Sequence, residues 1–291
     1  MTLYINSNPM CLILFSWLES KEFPLIIAAN RDERYQRPTS PLHQWEHPTG
    51  VIGGRDRIAG GSWLAVSQAG RFAAITNVRD PRPVGRDAPS RGELVTRFLQ
   101  SDLSTDRWLQ NLMHEATDYA GFNLLAGDLG KQQLFWYSNR RPKPLQLQPG
   151  LYGLSNGALD EPWPKVQRGK ALFQDTTDKT LHRSELSAHG PSTDNPREGL
   201  INGLFELLED KHQPSDSELP DSGVGLELER LLAPITIRTE EYGTCSSQIV
   251  IAESSRTITV AEKNRRPGLS NNLPGSEDYD TRNPIYLQFT H

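Results

Sequence analysis

Cys11-Leu-Ile-Leu-Phe-Ser-Trp-Leu18, then Glu19-Ser-Lys-Glu22, then Phe23-Pro-Leu-Ile-Ile-Ala-Ala29: two short apolar runs are separated by a brief polar link. The link is far too short for the crossover that parallel strands need, so the runs must pair as an antiparallel hairpin. The same grammar returns at residues 62–67 and 71–76 around Gln68-Ala-Gly70, and at 122–126 and 133–137 around Asp128-Leu-Gly130. Several of these runs are apolar on both faces, the mark of a sheet covered on each side.

The covering helices are sought between and after the hairpins. Ser90-Arg-Gly-Glu93 has the form of a capping box, and Leu94, Val95, Phe98 and Leu99 follow at helical spacing. A second helix is expected over about 104–119. A third starts at Asn195-Pro196, a cap residue followed by proline at the first helical position, and carries Leu200, Leu204, Leu207 and Leu208 on one face. Residues 174–194 and 211–224 are polar and read as loops, and strands resume at 235–237, 248–252 and 257–261. The sum is an α+β domain of packed antiparallel sheets flanked by helices. It is expected over residues 11–263, preceded by an extension (1–10) and followed by a polar, mobile tail (264–291).

Composition narrows the function. The 291 residues carry 31 basic and 36 acidic side chains, a net charge of −5, with 36% apolar residues. That balance is a poor match to the phosphate backbone, so no nucleic-acid partner is expected. Mean hydropathy is −0.57, and no apolar run approaches the roughly 18 residues of a membrane span. The first nine residues have no basic stretch ahead of an apolar one, unlike a signal peptide, so a cytoplasmic location is expected. Two cysteines, Cys11 and Cys245, make no disulfide framework. An enzyme or a small-molecule binder remains, with no cofactor and no metal expected.

Cys11 follows Met10 directly. A chain starting at Met10 and losing that methionine would expose Cys11 as its N-terminal residue, with the thiol beside its own α-amine. An amine with a pKa of about 8 can take the thiol proton, so one residue would supply both nucleophile and base. Residues 1–10 must then be absent or removed. The polar Asn30-Arg-Asp-Glu33 ends the second strand of the hairpin, which brings a guanidinium and two carboxylates back alongside Cys11. Cys11, beside an α-amine and Arg31, is expected to be the more reactive thiol, with Cys245 partly buried.

Other signals weigh less. Gly153-Leu-Ser-Asn-Gly157 fits a nucleophile elbow, but an elbow needs a strand entering a helix within a parallel sheet, and here hairpins precede it and Glu161-Pro-Trp-Pro164 delays any helix. His43 and His47 are bracketed by prolines and read as loop residues. Arg79, Arg82, Arg86 and Arg91 lie on a Pro-rich loop beyond Asn77, where they could receive an anionic substrate.

Met10-Cys11 with its apolar strand, Ala28-Ala-Asn-Arg-Asp-Glu33, Gly60-Gly-Ser-Trp63, Ala74-Ile-Thr-Asn77, Arg91-Gly-Glu-Leu-Val95, Gly121-Phe-Asn123, Gly153-Leu-Ser-Asn156 and Tyr242-Gly-Thr244 together resemble the NRDE family, which includes the transport and Golgi organisation protein 2 homologues. The resemblance implies an N-terminal-nucleophile (Ntn) hydrolase-like αββα sandwich, with Cys11 as nucleophile, Asn77 in the oxyanion hole and Asn156 as a second active-site amide. Neutral amides suit an oxyanion because no charge need be neutralised first. Arg31 and Asp32 complete the implied catalytic set, and Asn30, Glu33, Trp63, Arg91 and Asn123 are expected to contact substrate. Where the pattern carries an arginine after Tyr-Gly-Thr, this chain has Cys245. The implied activity is hydrolysis of a linear, non-peptide C–N amide. The alternative is a carrier that holds haem or an acyl or lipid ligand in the same pocket, as in haem trafficking.

Overall fold

The computed structural model describes residues 10–79, 88–187, 195–266 and 283–291. Its strands are β1 (Cys11–Trp17), β2 (Leu25–Arg34), β3 (Thr39–Gln44), β4 (Val51–Asp56), β5 (Leu64–Ser67), β6 (Arg71–Asn77), β7 (Phe122–Asp128), β8 (Gln133–Ser138), β9 (Leu145–Gln146), β10 (Gly150–Leu154), β11 (Tyr242–Ala252), β12 (Thr257–Asn264) and β13 (Ile285–Thr290). The helices are α1 (Gly92–Gln100), α2 (Thr105–Glu115), α3 (Pro164–Ser187), α4 (Pro196–Leu207) and α5 (Leu226–Leu232).

The strands form two sheets, ordered β10-β1-β2-β11-β12-β13 and β3-β4-β5-β6-β7-β8-β9, and every pairing is antiparallel. The two-residue period of a strand explains the layering. On β1 and β2, Ile13, Phe15, Trp17, Leu25 and Ile27 face the second sheet, where they meet Phe72, Leu125 and Trp136 in the central core. The alternate residues Leu12, Leu14, Ile26 and Ala28 face outward and are covered by Val166 and Phe173 of α3 and by Leu200, Leu204 and Phe205 of α4. The outer face of the second sheet is covered by α1 and α2 through Leu94, Phe98, Trp108 and Leu112. Two antiparallel sheets between helices give the four αββα layers.

Four local expectations change. The capping box at Ser90 is not made: α1 begins at Gly92 without a side-chain cap, because the Glu93 carboxylate is taken by the Tyr119 hydroxyl. Residues 174–187, read as loop, continue α3. Its exposed side is supported by Gln174–Asp178 and Lys179–Asp175 contacts one turn apart, and its inner side packs on α4, where Gly203 leaves room for Thr176. Residues 235–237 join no ladder; Ile235 is buried but its carbonyl is taken by the Asn30 amide. The fourth change lies in the stretch read as a tail, where residues 285–290 form β13 on the edge of the first sheet. Ile285, Leu287 and Phe289 of β13 pack against the central core. Residues 267–282, like 1–9 and the arginines at 82 and 86, lie outside the described residues.

Candidate active site at the end of the first hairpin

The register of the first hairpin sets Cys11 opposite Arg31, and the two-residue period then divides the polar quartet that ends β2. Arg31 and Glu33 share the inward face with Cys11 and line a cavity of about 520 Å³ between the sheets. Asn30 and Asp32 point the other way, towards the helices. Asn30 therefore does not line the cavity: its Nδ2 donates to the carbonyls of Leu208 and Ile235 at 2.9 and 3.0 Å, and its Oδ1 accepts from Ser247 at 2.6 Å. It fastens the end of α4 to the sheet.

Asp32 is fully buried and accepts the Thr244 hydroxyl on Oδ1 at 2.6 Å, while its backbone N–H donates to the Met10 carbonyl at 2.8 Å. Burial raises its pKa to about 6, against the attraction of Lys165 and the Thr244 hydrogen bond.

The second sheet contributes Trp63, Asn77 and the loop that carries Arg91, all lining the same cavity as Cys11. Asn156 joins the two sheets. Its Oδ1 accepts from the Cys11 N–H at 3.3 Å and its Nδ2 donates to the Asn77 carbonyl at 2.8 Å. Ser155, the serine of the apparent elbow, is buried and donates to the Cys11 carbonyl at 2.9 Å. It braces the strand. Asn123 is also a brace, donating to Gly157 O at 2.8 Å and to Thr76 Oγ1 at 3.2 Å; it does not reach the cavity.

Charge on the cavity wall is uneven. Among the described residues that line the cavity, the arginines 31, 34, 37 and 91 outnumber the carboxylates Glu33 and Asp56. Arg37 pairs with Asp56 at 2.6 Å and Arg31 with Glu33 at 3.4 Å, with the Arg31 guanidinium 4.7 Å above the Trp63 ring. Arg91 donates to the Gly121 carbonyl at 3.0 Å and has no carboxylate in ion-pair range among the described residues. Burial brings its pKa down to about 10, opposed by the Cys11 sulfur and Glu33. With residues 1–10 attached, burial and the Asp32 charge push the Cys11 thiol up to about 12, against Arg31. In that form the thiol is held protonated at neutral pH.

Arg91 is placed by glycines. A Cβ on Gly61 would lie 2.4 Å from the backbone of Gly92, so the Gly60-Gly-Ser-Trp63 turn and the start of α1 touch main chain to main chain. Gly61→Ala is expected to cost about 1–3 kcal/mol through this overpacking and to shift Arg91. Urea unfolding checks the first effect, and a weakened dependence of ligand binding on Arg91 checks the second.

The chain matches the Transport and Golgi organisation 2 family over residues 10–267. It is 33% identical to the mouse Transport and Golgi organization 2 homolog over 272 residues, covering 87% of this chain and 92% of the relative. The human homolog is 34% identical over 269 residues with the same coverages. The protein belongs to the Transport and Golgi organisation 2 family. Among solved structures, penicillin V acylase from Agrobacterium tumefaciens overlaps 87% of this chain and 83% of its own, with 12% identity and a TM-score of 0.43.

For this member of the Transport and Golgi organisation 2 family, the position after Tyr242-Gly-Thr244 lies off the cavity wall. Cys245 sits at a register shift between β11 and β2, nearly inaccessible, with its Sγ donating to the Glu33 carbonyl at 3.4 Å. On the helix side of the site, two residues singled out from the sequence take other parts, and a third, Lys165, was missed. Tyr242 accepts the Met10 N–H on its hydroxyl at 2.7 Å, Arg79 forms a buried pair with Glu229 of α5, and Lys165 lies buried in the first turn of α3. A lysine in a first helical turn opposes the helix dipole, and that misfit was the available signal.

Proposed function

We propose that the protein is an N-terminal cysteine nucleophile hydrolase acting on a linear, non-peptide amide, once residues 1–10 are gone. The observation that carries this reading is the placement of Cys11: its backbone nitrogen is fixed by Asn156 while its side chain lines the cavity that Asn77 also lines. A free α-amine at that nitrogen would still donate to Asn156 Oδ1 through one N–H, and its lone pair would remain available to take the thiol proton.

The reaction then runs within one residue and its neighbours. The amine takes the thiol proton, and Cys11 Sγ forms a bond to the acyl carbon. The Asn77 amide stabilises the oxyanion. The proton passes to the leaving nitrogen as the C–N bond breaks, and water hydrolyses the thioester to free the acid and the thiol. The arginine excess on the cavity wall suits a substrate with an anionic portion.

Asn77→Ala is expected to lower kcat by about 10²–10³-fold with little change in binding, measured on a panel of N-acyl amides. Unchanged kcat would remove Asn77 from the mechanism.

One observation favours the carrier reading for the unprocessed chain. A protonated thiol beside a preformed cavity can hold a ligand without attacking it. Titrating haem and an acyl-chain ligand into protein of defined N-terminus separates the two states.

A further inference from the structure

Two ionisable side chains on the helix side of Cys11 are buried with unused hydrogen-bonding capacity. Asp32 is 0% exposed and Lys165 3%, and among the described residues neither Asp32 Oδ2 nor Lys165 Nζ has a hydrogen-bond partner. An ionised group in that state is costly unless an opposite charge compensates it. The fold buries both on the helix side of the first sheet, with no direct hydrogen bond between them. Asp32 lies on the face of β2 that looks towards the helices, and α3 is seated tightly on the same sheet, with Gly169 allowing its backbone to approach Leu14 of β1.

We propose that Lys165 is a positioning residue that keeps Asp32 ionised beside the Cys11 nitrogen, and so holds the Cys11 amine ready to act as a base. The proposal rests on the reading of Cys11 as an N-terminal nucleophile and adds to it the residue that sets its charge environment. Thr244 occupies Oδ1 and leaves Oδ2 as the atom that can receive an amine proton. Lys165 supplies the compensating charge from above, and its own positive charge disfavours a second, permanently protonated amine in the same interior. Asp32 and Lys165 are, for each other, the strongest charge in the surroundings: Lys165 draws the carboxyl down, and Asp32 draws the ammonium up towards its reduced value of about 8.

The other charged or titratable neighbours act around this pair. Arg31 and Glu33 flank Asp32 on β2, Cys11 lies on β1, and the phenols of Tyr35 and of Tyr242 on β11 also interact with Asp32. Arg79 and Glu229 reach Lys165 already paired with each other. Nothing in that group replaces Lys165, because Arg31 points into the cavity and Arg79 is committed to Glu229.

The test uses the chain with Cys11 as its N-terminal residue, confirmed by intact mass, as wild type, Lys165→Met, Lys165→Arg, Asp32→Asn and the Lys165→Met/Asp32→Asn double variant. Urea midpoints give a cycle for the pair, and iodoacetamide labelling of Cys11 from pH 5 to 9 reads the charge beside the thiol. Asp32→Asn should restore most of the urea midpoint lost in Lys165→Met, because the double variant buries no lone charge. The labelling profile of the wild type should step where Asp32 titrates. That step should move up by a pH unit or more in Lys165→Met, stay within half a unit in Lys165→Arg and vanish in Asp32→Asn.

A lysine that served packing alone would give additive losses and a wild-type step that does not move in Lys165→Met, and either result overturns the proposal. If Lys165→Met does not fold, recovery of folding in the double variant supports the pair and its absence contradicts it. A coupled cycle in a protein whose Cys11 labelling shows no step supports the pairing and instead contradicts the nucleophile reading.

Discussion

Replacing Cys11 by alanine is expected to abolish amide hydrolysis, a loss on the order of 10³-fold or more, because the proposed mechanism then has no attacking sulfur, although the α-amine stays. Binding should survive. The alanine removes one small side chain from the wall of a cavity whose polar contacts come from Arg31, Glu33, Asn77 and Arg91, so ligand affinity measured by calorimetry is expected to stay within a few fold. Undiminished turnover by Cys11→Ala would move the chemistry elsewhere. Equal ligand affinity with no turnover in the wild type would leave the carrier reading in possession of the site.

The second large effect concerns residues 1–10. While they are attached, the Cys11 nitrogen is an amide and cannot act as a base, and the thiol is pushed up to about 12 from an ordinary 9.0. Each unit is tenfold in thiolate, so release of the α-amine is expected to raise iodoacetamide labelling of Cys11 at pH 7.5 by roughly 10²–10³-fold. The sign follows from the direction of the shift. A raised thiol pKa means less thiolate at neutral pH, and a neighbouring base lowers the barrier to losing the proton. Cys245 is also pushed up by burial but lies away from the new terminus, so its labelling should not change. Peptide mass spectrometry on the two forms measures both cysteines at once. Equal labelling of Cys11 and Cys245 in the processed form would count against an activated nucleophile.

Much of the architecture was legible because hairpins announce themselves locally. The link 19–22 and the doubly apolar runs required an antiparallel, covered sheet, and Asn195-Pro196 announced α4, whose Asn195 side chain accepts the Arg197 N–H. The failures share a physical cause, namely tertiary contacts overriding local preference. Residues 174–187 look like a polar loop in isolation, yet they are helical where Phe173, Thr177 and the α4 glycines give one side something to pack against. The strand β13 was hidden by the Asn, Pro and Gly residues ahead of it, although Ile285, Leu287 and Phe289 alternate as a strand should.

At the site, proximity along the chain misled where strand parity decides. Asn30, Arg31, Asp32 and Glu33 read as one polar cluster, but successive side chains of a strand point to opposite faces. Only Arg31 and Glu33 reach the cavity, while Asn30 holds α4 and Asp32 accepts the Thr244 hydroxyl on the other face. Asn123 follows the same logic at one remove: it supports the turn that carries Asn156. Lys165 lay outside every motif, and only the fold brings it to Cys11.

The most direct test of the central claim is to trap the acyl group. Protein with a free Cys11 amine is mixed with a slowly hydrolysed N-acyl amide, quenched in acid, and read by intact and peptide mass. The expected result is one acyl mass on the peptide that begins with Cys11, removed by neutral hydroxylamine as a thioester and absent in Cys11→Ala. An acyl group on any other residue, or turnover with no adduct at Cys11 even when deacylation is slowed, would contradict the account.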